Sequence, residues 1–506
     1  MKKVFLLISS LILLSAGNSC SEDDLQLLSP TSDLLDTIDS EDKLQKFLNG
    51  AYLSLGSVDA FGTNVIVVGD VLSDHLYVST ASAAAFSNTY NMNYNPVTND
   101  FGMYDPLYNA INNCNMVINN TKVESIPTNT VENIQNIARI KAEARIARAL
   151  AYFTLVNYYS PSPTSGVNQD YGVPIVLENY DSTIKRPRAT VAEVYTQIIS
   201  DLTAALVDAE ETPIDPDGAV TKTRFSKTAA KLILSRVYLT RRAAGDAQLA
   251  LQYASEIVNN PGDFAPIVST VAAYQAYFSG QPEANAENQP ETIWELDVND
   301  LSNGVTGLGA NLALPTLYYR LSDRRALLFT KDFYDSFPHS ANGATSTDIR
   351  RGSATAGLLT TSGVVGTGQV PGAWTNKYPR LSGDGNFQRN IKVFRFAEAQ
   401  LNRIEALYLT GQTAAALTAL NTFAVSRGGS TYTGTDLLND ILTEKGKEFY
   451  GEGQRFLDLK RWNLPIIKNS NCTTNCNLPA NSSLFVLPIN QSAINANPNL
   501  LQYPGY

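Results

Sequence analysis

A chain of 506 residues can bury a full hydrophobic core, so the small disulfide-stapled and the disordered classes are excluded. Its 38 basic and 48 acidic side chains leave a formal charge of −10, which offers no footprint for a phosphate backbone and argues against nucleic acid as a partner. Only 17% of the residues are charged, against about 25% in ordinary soluble domains. The deficit is uneven: no Asp, Glu, Lys or Arg occurs in 76–99, 301–319, 352–376 or 469–506, stretches built largely of Asn, Ser, Thr, Gly and Tyr.

Lys2 and Lys3 precede an apolar run over 4–14 and the small residues Ser15, Ala16 and Gly17, which reads as a signal peptide occupying 1–19. The run is shorter than the roughly 20 apolar residues a spanning helix needs. Cys20, just after the small residues, resembles the lipidated cysteine of bacterial lipoproteins. Gly17 stands where a Leu is usual, which leaves cleavage without lipidation as the alternative. Ser21, Glu22, Asp23 and Asp24 are similar to the surface-export signal of Bacteroidetes lipoproteins, the other reading being a solvated acidic linker within 20–40. Later segments have no comparable apolar run, so membrane attachment is expected by anchor only.

Cys114 lies among apolar helical neighbours and reads as a buried small hydrophobe. Over 139–159, Ile140, Ala144, Ala147, Ala151, Leu155 and Tyr158 recur at three- and four-residue spacing, which predicts a helix with one buried stripe. Val191, Val194, Tyr195, Ile198, Leu202 and Leu206 repeat the pattern in a helix that Thr190 can cap and Pro213 ends. Further helices are predicted over 226–242, 246–259, 391–410, 413–426 and 436–450, and the short links 243–245 and 411–412 make antiparallel hairpins of their neighbours. Between the helix clusters, 61–101 and 264–388 have weak helical period, and loops of that length are usually functional. Cys472 and Cys476 sit in an Asn-rich loop of an exported chain, where a disulfide is expected; zinc would need two more ligands.

Six signatures, the first in two parts, occur in a fixed order. Arg148-Ala-Leu-Ala-Tyr-Phe153 is followed by Asp170-Tyr-Gly-Val-Pro-Ile-Val176, then by Arg188-Ala-Thr-Val-Ala-Glu-Val-Tyr195 with Asp201 and Leu202, and by Arg224-Phe-Ser-Lys-Thr-Ala-Ala230 with Arg236. Phe394-Arg395-Phe-Ala-Glu398 with Glu405, Glu452-Gly-Gln-Arg455-Phe-Leu-Asp458-Leu-Lys-Arg461-Trp462 and the ending 497–506 complete the series. In these segments the chain resembles the SusD/RagB family of Bacteroidetes outer-membrane glycan-binding lipoproteins. It departs from the family pattern at 160–169, Lys445, Phe449 and Asn490, and resembles it least over 60–100 and 265–390.

The resemblance implies a mainly α fold. Tetratricopeptide-like helix pairs would form a SusD-like right-handed helical scaffold over 41–60, 102–260 and 389–462, within a single domain over 41–506. A loop-rich ligand face would occupy about 61–101 and 264–388. The implied role is that of a lipid-anchored protein on the extracellular side of the outer membrane, which captures glycan and delivers it to a SusC-like TonB-dependent transporter. It implies no catalysis.

The residues themselves point the same way. Sugars show hydroxyls at their edges and C–H patches on their faces, so a site needs aromatic platforms and neutral hydrogen-bonding groups. Tyr77, Tyr90, Asn91 and Tyr94 have that character, as do Trp294, Tyr318, Tyr319 and Trp374. Trp294, between Ile293 and Leu296, looks core-like, whereas Trp374, between Gly372 and Asn376, looks exposed and is the leading candidate. Asp74 and His75 could bond sugar hydroxyls, against a turn or helix-end role. Arg395, Glu398, Arg455, Asp458 and Arg461 read as buried ion pairs that fix helix packing rather than as a catalytic cluster.

Asp384 and Asn386, around Gly385, are candidates for a structural calcium loop, although EF-hand spacing is absent; no other cofactor is indicated. His75 and His339 are the only histidines and lie too far apart in sequence for a local zinc or Ser-His motif. The alternatives are a glycoside hydrolase acting on the same glycan through paired carboxylates, and a helical-repeat adaptor gripping peptides.

Overall fold

The computed structural model describes residues 38–79, 85–215, 218–266, 270–280, 285–298, 312–319, 326–353, 357–361, 371–379 and 389–506. The signal segment, Cys20, the acidic cluster at 22–24 and the Asp384/Asn386 pair lie outside the described residues.

Helix α1 (Glu41–Leu55) starts at Ser40, whose hydroxyl accepts from the Lys43 amide, and places Glu41 and Asp42 where the helix dipole favours acids. Helix α2 (Asn64–Val71) is buried on every side, and β1 (Leu76–Val78) and the short α3 (Ser87–Tyr90) follow it. After α4 (Tyr104–Ile118), α5 (Val131–Tyr159) begins well before Arg139 because Thr130 and Asn133 cap each other reciprocally. Helix α6 (Val191–Asp208) has the same device in Thr190 and Glu193. Helices α7 (Lys227–Arg241) and α8 (Asp246–Asn259) form a hairpin through Gly245, whose φ of 87° lies in the left-handed region.

The stretch 264–388 holds more regular structure than its composition suggests. It contains α9 (Val271–Ser279), β2 (Thr292–Leu296), α10 (Leu314–Tyr318), β3 (Leu327–Thr330), α11 (Lys331–Asp335), β4 (Leu359–Thr360) and β5 (Gly372–Thr375). β1, β3, β5 and β4 form one antiparallel sheet in that order, with Leu76 opposite Phe329, Phe329 opposite Ala373, and Thr360 opposite Trp374.

One predicted helix is corrected at its start. Residues 391–395 form strand β6 (Ile391–Arg395), antiparallel to β2 with Leu296 opposite Ile391 and Trp294 opposite Phe394. The buried backbone of β2 requires a partner there, and only the following α12 (Phe396–Leu409) is helical. The chain continues through α13 (Thr413–Ser426), α14 (Leu437–Phe449), α15 (Arg455–Arg461), the strand pair β7 (Ile466–Ile467) and β8 (Asn477–Leu478), and α16 (Gln491–Ala496).

The molecule is mainly helical. Consecutive helices α4 to α8 pack as neighbours, and α8 lies against α12, which joins the helices on either side of the long insertion. One hydrophobic core runs from Ile38 to Leu500, with a second cluster between α12, α13 and α14. α2 meets the loop before α15 so closely that a Cβ on Gly69 would stand 2.0 Å from the Gly453 carbonyl oxygen.

The expectation that 61–101 is a ligand face is corrected from residue 64 onward. α2, β1 and α3 are largely buried, and much of the cover is the uncharged C-terminal tail. Tyr90 and Tyr94 donate their hydroxyls to the carbonyls of Ser470 and Leu484. The Thr473 amide and hydroxyl donate to Asn91 Oδ1 at 2.8 and 3.0 Å, and the Gln491 amide donates to Pro96 at 2.9 Å.

Candidate ligand-binding site

The structure removes most of the aromatic candidates from a ligand's reach. Trp374 is 2% exposed, because the residues flanked by Gly372 and Asn376 are not a loop but strand β5, paired on both edges. Tyr77, Tyr90, Tyr94 and Tyr318 are buried as well, Tyr90 beneath the Lys468 ammonium and Tyr318 donating to Asp70 Oδ2 at 2.6 Å. Trp294 lies in the core, as its apolar neighbours suggest, stacked on Phe225 with its N–H on the Thr223 carbonyl. Asn91 is spent on the disulfide loop, in which Cys472 and Cys476 are joined with their Cα atoms 5.7 Å apart. Tyr319 is half-buried at the end of α10.

Asp74 and His75 are also committed to packing. Arg455 clasps Asp74 with Nε and Nη2, each 2.8 Å from a carboxylate oxygen, and His75 stacks on Phe333 at 4.4 Å. Burial pulls the His75 imidazole down to about 4 against the pull of Asp74, so it is neutral at pH 7.

The signature charges are consumed in pairs. Glu398 holds Arg236, while Glu405 and Asp458 hold Arg461 and Lys445. Arg395 bridges Glu291, Glu448 and Glu452. Among the described residues, no group of three His, Cys, Asp or Glu could hold a metal ion.

A cleft lies elsewhere, where the link between α1 and α2, the start of α10, residues 377–379 and the entry to β6 converge. Its apolar surface comes from Phe278, Leu314, Pro315 and Tyr378. Tyr378 is fixed by its hydroxyl on the Gly451 carbonyl at 2.8 Å and by the Tyr318 ring at 5.6 Å. Asn390 is held from three sides: its amide group accepts from Val298 N at 3.0 Å and donates to Glu295 at 3.1 Å, while its backbone N–H donates to Glu287 at 3.2 Å. Lys377, Arg389 and Lys392 bring positive charge to the same cleft. Burial pulls Lys377 down to about 8 although Glu452 stands 2.6 Å away, and burial likewise lowers Lys392 beside Glu295.

A second hollow shares Gly56 with the first and is lined by Asn49, Leu53, Arg224 and Asp297. Leu53 is half exposed on α1, and Leu296, Asp297 and Val298 lead from one hollow to the other. Of the four uncharged tracts, 301–319 reaches the cleft through Ala313, Leu314 and Pro315. Tyr378, Arg389, Asn390 and Lys392 escaped the sequence reading; the one usable signal was the return of charge at Lys377 after the neutral tract 352–376.

A family described as starch-binding and associating with the outer membrane, of SusD-like type, matches residues 25–239, and the SusD family matches residues 327–506. A SusD-like protein of Bacteroides ovatus is 26% identical across 71% of this chain, a match that spans 65% of the relative's own length. A solved SusD superfamily protein from Bacteroides thetaiotaomicron superposes with a TM-score of 0.77 at 26% identity, covering 92% of this chain and 100% of that one. A candidate sugar-binding protein from Bacteroides vulgatus gives 0.76 at 25% identity, covering 93% and 99%. Surface glycan-binding protein A from Bacteroides uniformis shares the fold, with a TM-score of 0.71 at 21% identity over 91% and 99%.

Proposed function

The chain belongs to the SusD family, and on that premise we propose that it captures an oligosaccharide or polysaccharide outside the cell and passes it intact to a SusC-like TonB-dependent transporter in the outer membrane. In this reading Cys20 carries the lipid that tethers the protein to that membrane.

The observation that carries the proposal is the cleft beside Tyr378. The half-buried Tyr378 ring offers apolar surface to the C–H face of a sugar, in a pocket whose walls are already locked by hydrogen bonds. Locked walls lower the ordering cost of binding. Capture is favoured over hydrolysis by the state of the signature carboxylates. Glu398 is paired with both Nε and Nη2 of Arg236, and Glu405 with two nitrogens of Arg461, so neither is placed to deliver a proton to a glycosidic oxygen.

The test is a panel of soluble polysaccharides run in affinity gels with the mature chain, followed by chromatographic analysis of the recovered glycan. Retention of at least one glycan, unshortened and weakened by Tyr378→Ala, is the expected result. Release of shorter products, or unchanged retention by the Tyr378→Ala protein, would count against this reading. Co-purification of the transporter with the tagged, membrane-borne protein tests delivery separately.

A further inference from the structure

We propose that the surface around Ile38, with Leu177, Tyr180 and Ile184 on one flank and Val131 and Ile134 on the other, rests on the lipid surface in which Cys20 is anchored. The proposal depends on the lipid-anchor reading and adds to it a second, direct contact with the membrane. Ile38 is fully buried, and its carbonyl accepts from Asn120 Nδ2 at 3.1 Å just past the end of α4. The neighbouring Asn119 donates from its side-chain amide to the Leu177 carbonyl at 2.8 Å and to Asn179 Oδ1 at 3.3 Å. On the other flank Asn133, between Val131 and Ile134 at the start of α5, donates to Glu41 Oε2 at 2.9 Å. The point from which the chain runs back to Cys20 therefore lies between two groups of large apolar side chains. They face solvent, Tyr180 and Ile184 at 49% and 41% exposure and Val131 and Ile134 at 73% and 55%.

Reach decides which surface the lipid can lay on the membrane. Eighteen positions separate Cys20 from Ile38, and a chain of that length spans at most about 60 Å. A body of this many residues has a radius of about 30 Å, so with its far pole on the membrane the path from Ile38 around it to the lipid would exceed about 75 Å. Only the surface nearer Ile38 is within the anchor's range. Tyr180 joins an apolar ring to a polar tip, the character that places Tyr at membrane–water boundaries. Lys185 and Arg186 stand exposed beside Ile184 and are balanced by Glu178 and Asp181, so this stretch has no share in the acidic excess that phosphate headgroups would repel. Near Ile38 the acids Asp39, Asp42 and Glu124 are likewise paired, with Lys43, Lys46 and Lys141. The Lys185 and Arg186 carbonyls accept from the side-chain amides of Asn499 and Asn497 at 2.8 Å each, which fastens the stretch to the C-terminal tail before any lipid is met.

The test uses the full chain, processed as a lipoprotein and reconstituted on vesicles of phosphatidylethanolamine and phosphatidylglycerol that carry a quencher on their acyl chains. With Cys20 lipidated, Cys114 buried, and Cys472 joined to Cys476, either Ser182→Cys or Val425→Cys offers a single reactive thiol for a fluorescent dye. Ser182 is exposed between Tyr180 and Ile184, and Val425 is exposed on α13, at the far end of the succession of packed helices α4 to α8, α12 and α13. Quenching at position 182 should be about threefold that at 425, because interfacial side chains sit about 5–10 Å into the headgroup boundary. Adding Tyr180→Ser and Ile184→Ser should bring the two positions level while the chain stays on the vesicles. Equal quenching at the two positions of a vesicle-bound chain overturns the inference and leaves the anchor and glycan capture standing. So does a dye at 182 that is shielded only when the transporter is reconstituted alongside, which assigns the surface to that partner. If the chain does not float with the vesicles at all, the anchor reading falls and the inference falls with it.

Discussion

Asp74, in the turn before β1, and Arg455, the first residue of α15, meet in a fork-to-fork ion pair with both N···O distances at 2.8 Å. The pair fastens the start of the small sheet to the C-terminal helices across most of the chain. Both side chains are largely shielded, at 26% and 16% exposure, so removing one charge strands the other. We predict that Asp74→Asn lowers stability by about 3 kcal/mol in urea unfolding. Retention of glycan by the folded Asp74→Asn protein should match that of the parent; a selective loss would return Asp74 to the ligand site.

Trp374 supplies a second separation of packing from binding. Its ring fills the sheet core opposite Thr360, and truncation leaves a cavity that neighbouring strands cannot close. Trp374→Ala should cost about 3–5 kcal/mol in denaturant unfolding. Trp374→Phe, which keeps an apolar ring in place, should bind glycan as the parent does; weakened retention by that variant would contradict the assignment to the core.

Two buried carboxyls give the pH dependence opposite signs. Burial raises Asp70 from 3.8 to about 7 in spite of hydrogen bonds from Tyr318 and Gly453, so the folded chain holds that proton longer than the unfolded one. Its contribution is fully present below 3.8 and is lost as pH rises through about 7. Glu405 goes the other way: burial would raise it, but Arg461 and Lys445 outweigh burial and hold it at about 2. Its contribution is present above 4.5 and is lost as pH falls toward 2. Thermal melts across pH should show Asp70→Asn flattening the neutral limb and Glu405→Gln flattening the acid limb.

The Cys472–Cys476 bridge closes a very short loop whose Thr473 and Thr474 amides rest on Asn91 Oδ1. For a loop of about five residues, chain-entropy reasoning gives about 2 kcal/mol. Replacing both cysteines by serine should lower the melting temperature by a few degrees, consistent with about 2 kcal/mol in a chain this long. Asn91→Ala should lower it as well, since it removes the loop's dock.

Much of the scaffold was legible because helices are local. The stripe from Ile140 to Tyr158, the Thr190 cap and the two hairpin links need only neighbours a few residues away, and each appears in the structure. The missed features depend on distant partners. Residues 391–395 read as the first turns of α12 until β2 is present to pair with them. The early start of α5 is a local feature instead: Thr130 caps it with Asn133 as its partner, where a capping box usually has Glu or Gln.

The ligand site follows the same division. By itself the sequence determined the helical pairs, the family signatures and the existence of four uncharged tracts. Only the tertiary structure decided what those tracts face. Two of them, 76–99 and 469–506, press against each other through Tyr90, Asn91, Tyr94, Ser470 and Thr473, so they lack charge because they bury one another. Trp374 ends a third inside a sheet, and Ala313, Leu314 and Pro315 carry the fourth to the cleft. A buried interface and a neutral ligand surface impose the same penalty on charge, and composition cannot tell them apart. The contacts that distinguish them join residues roughly 380 positions apart, beyond the reach of any local pattern.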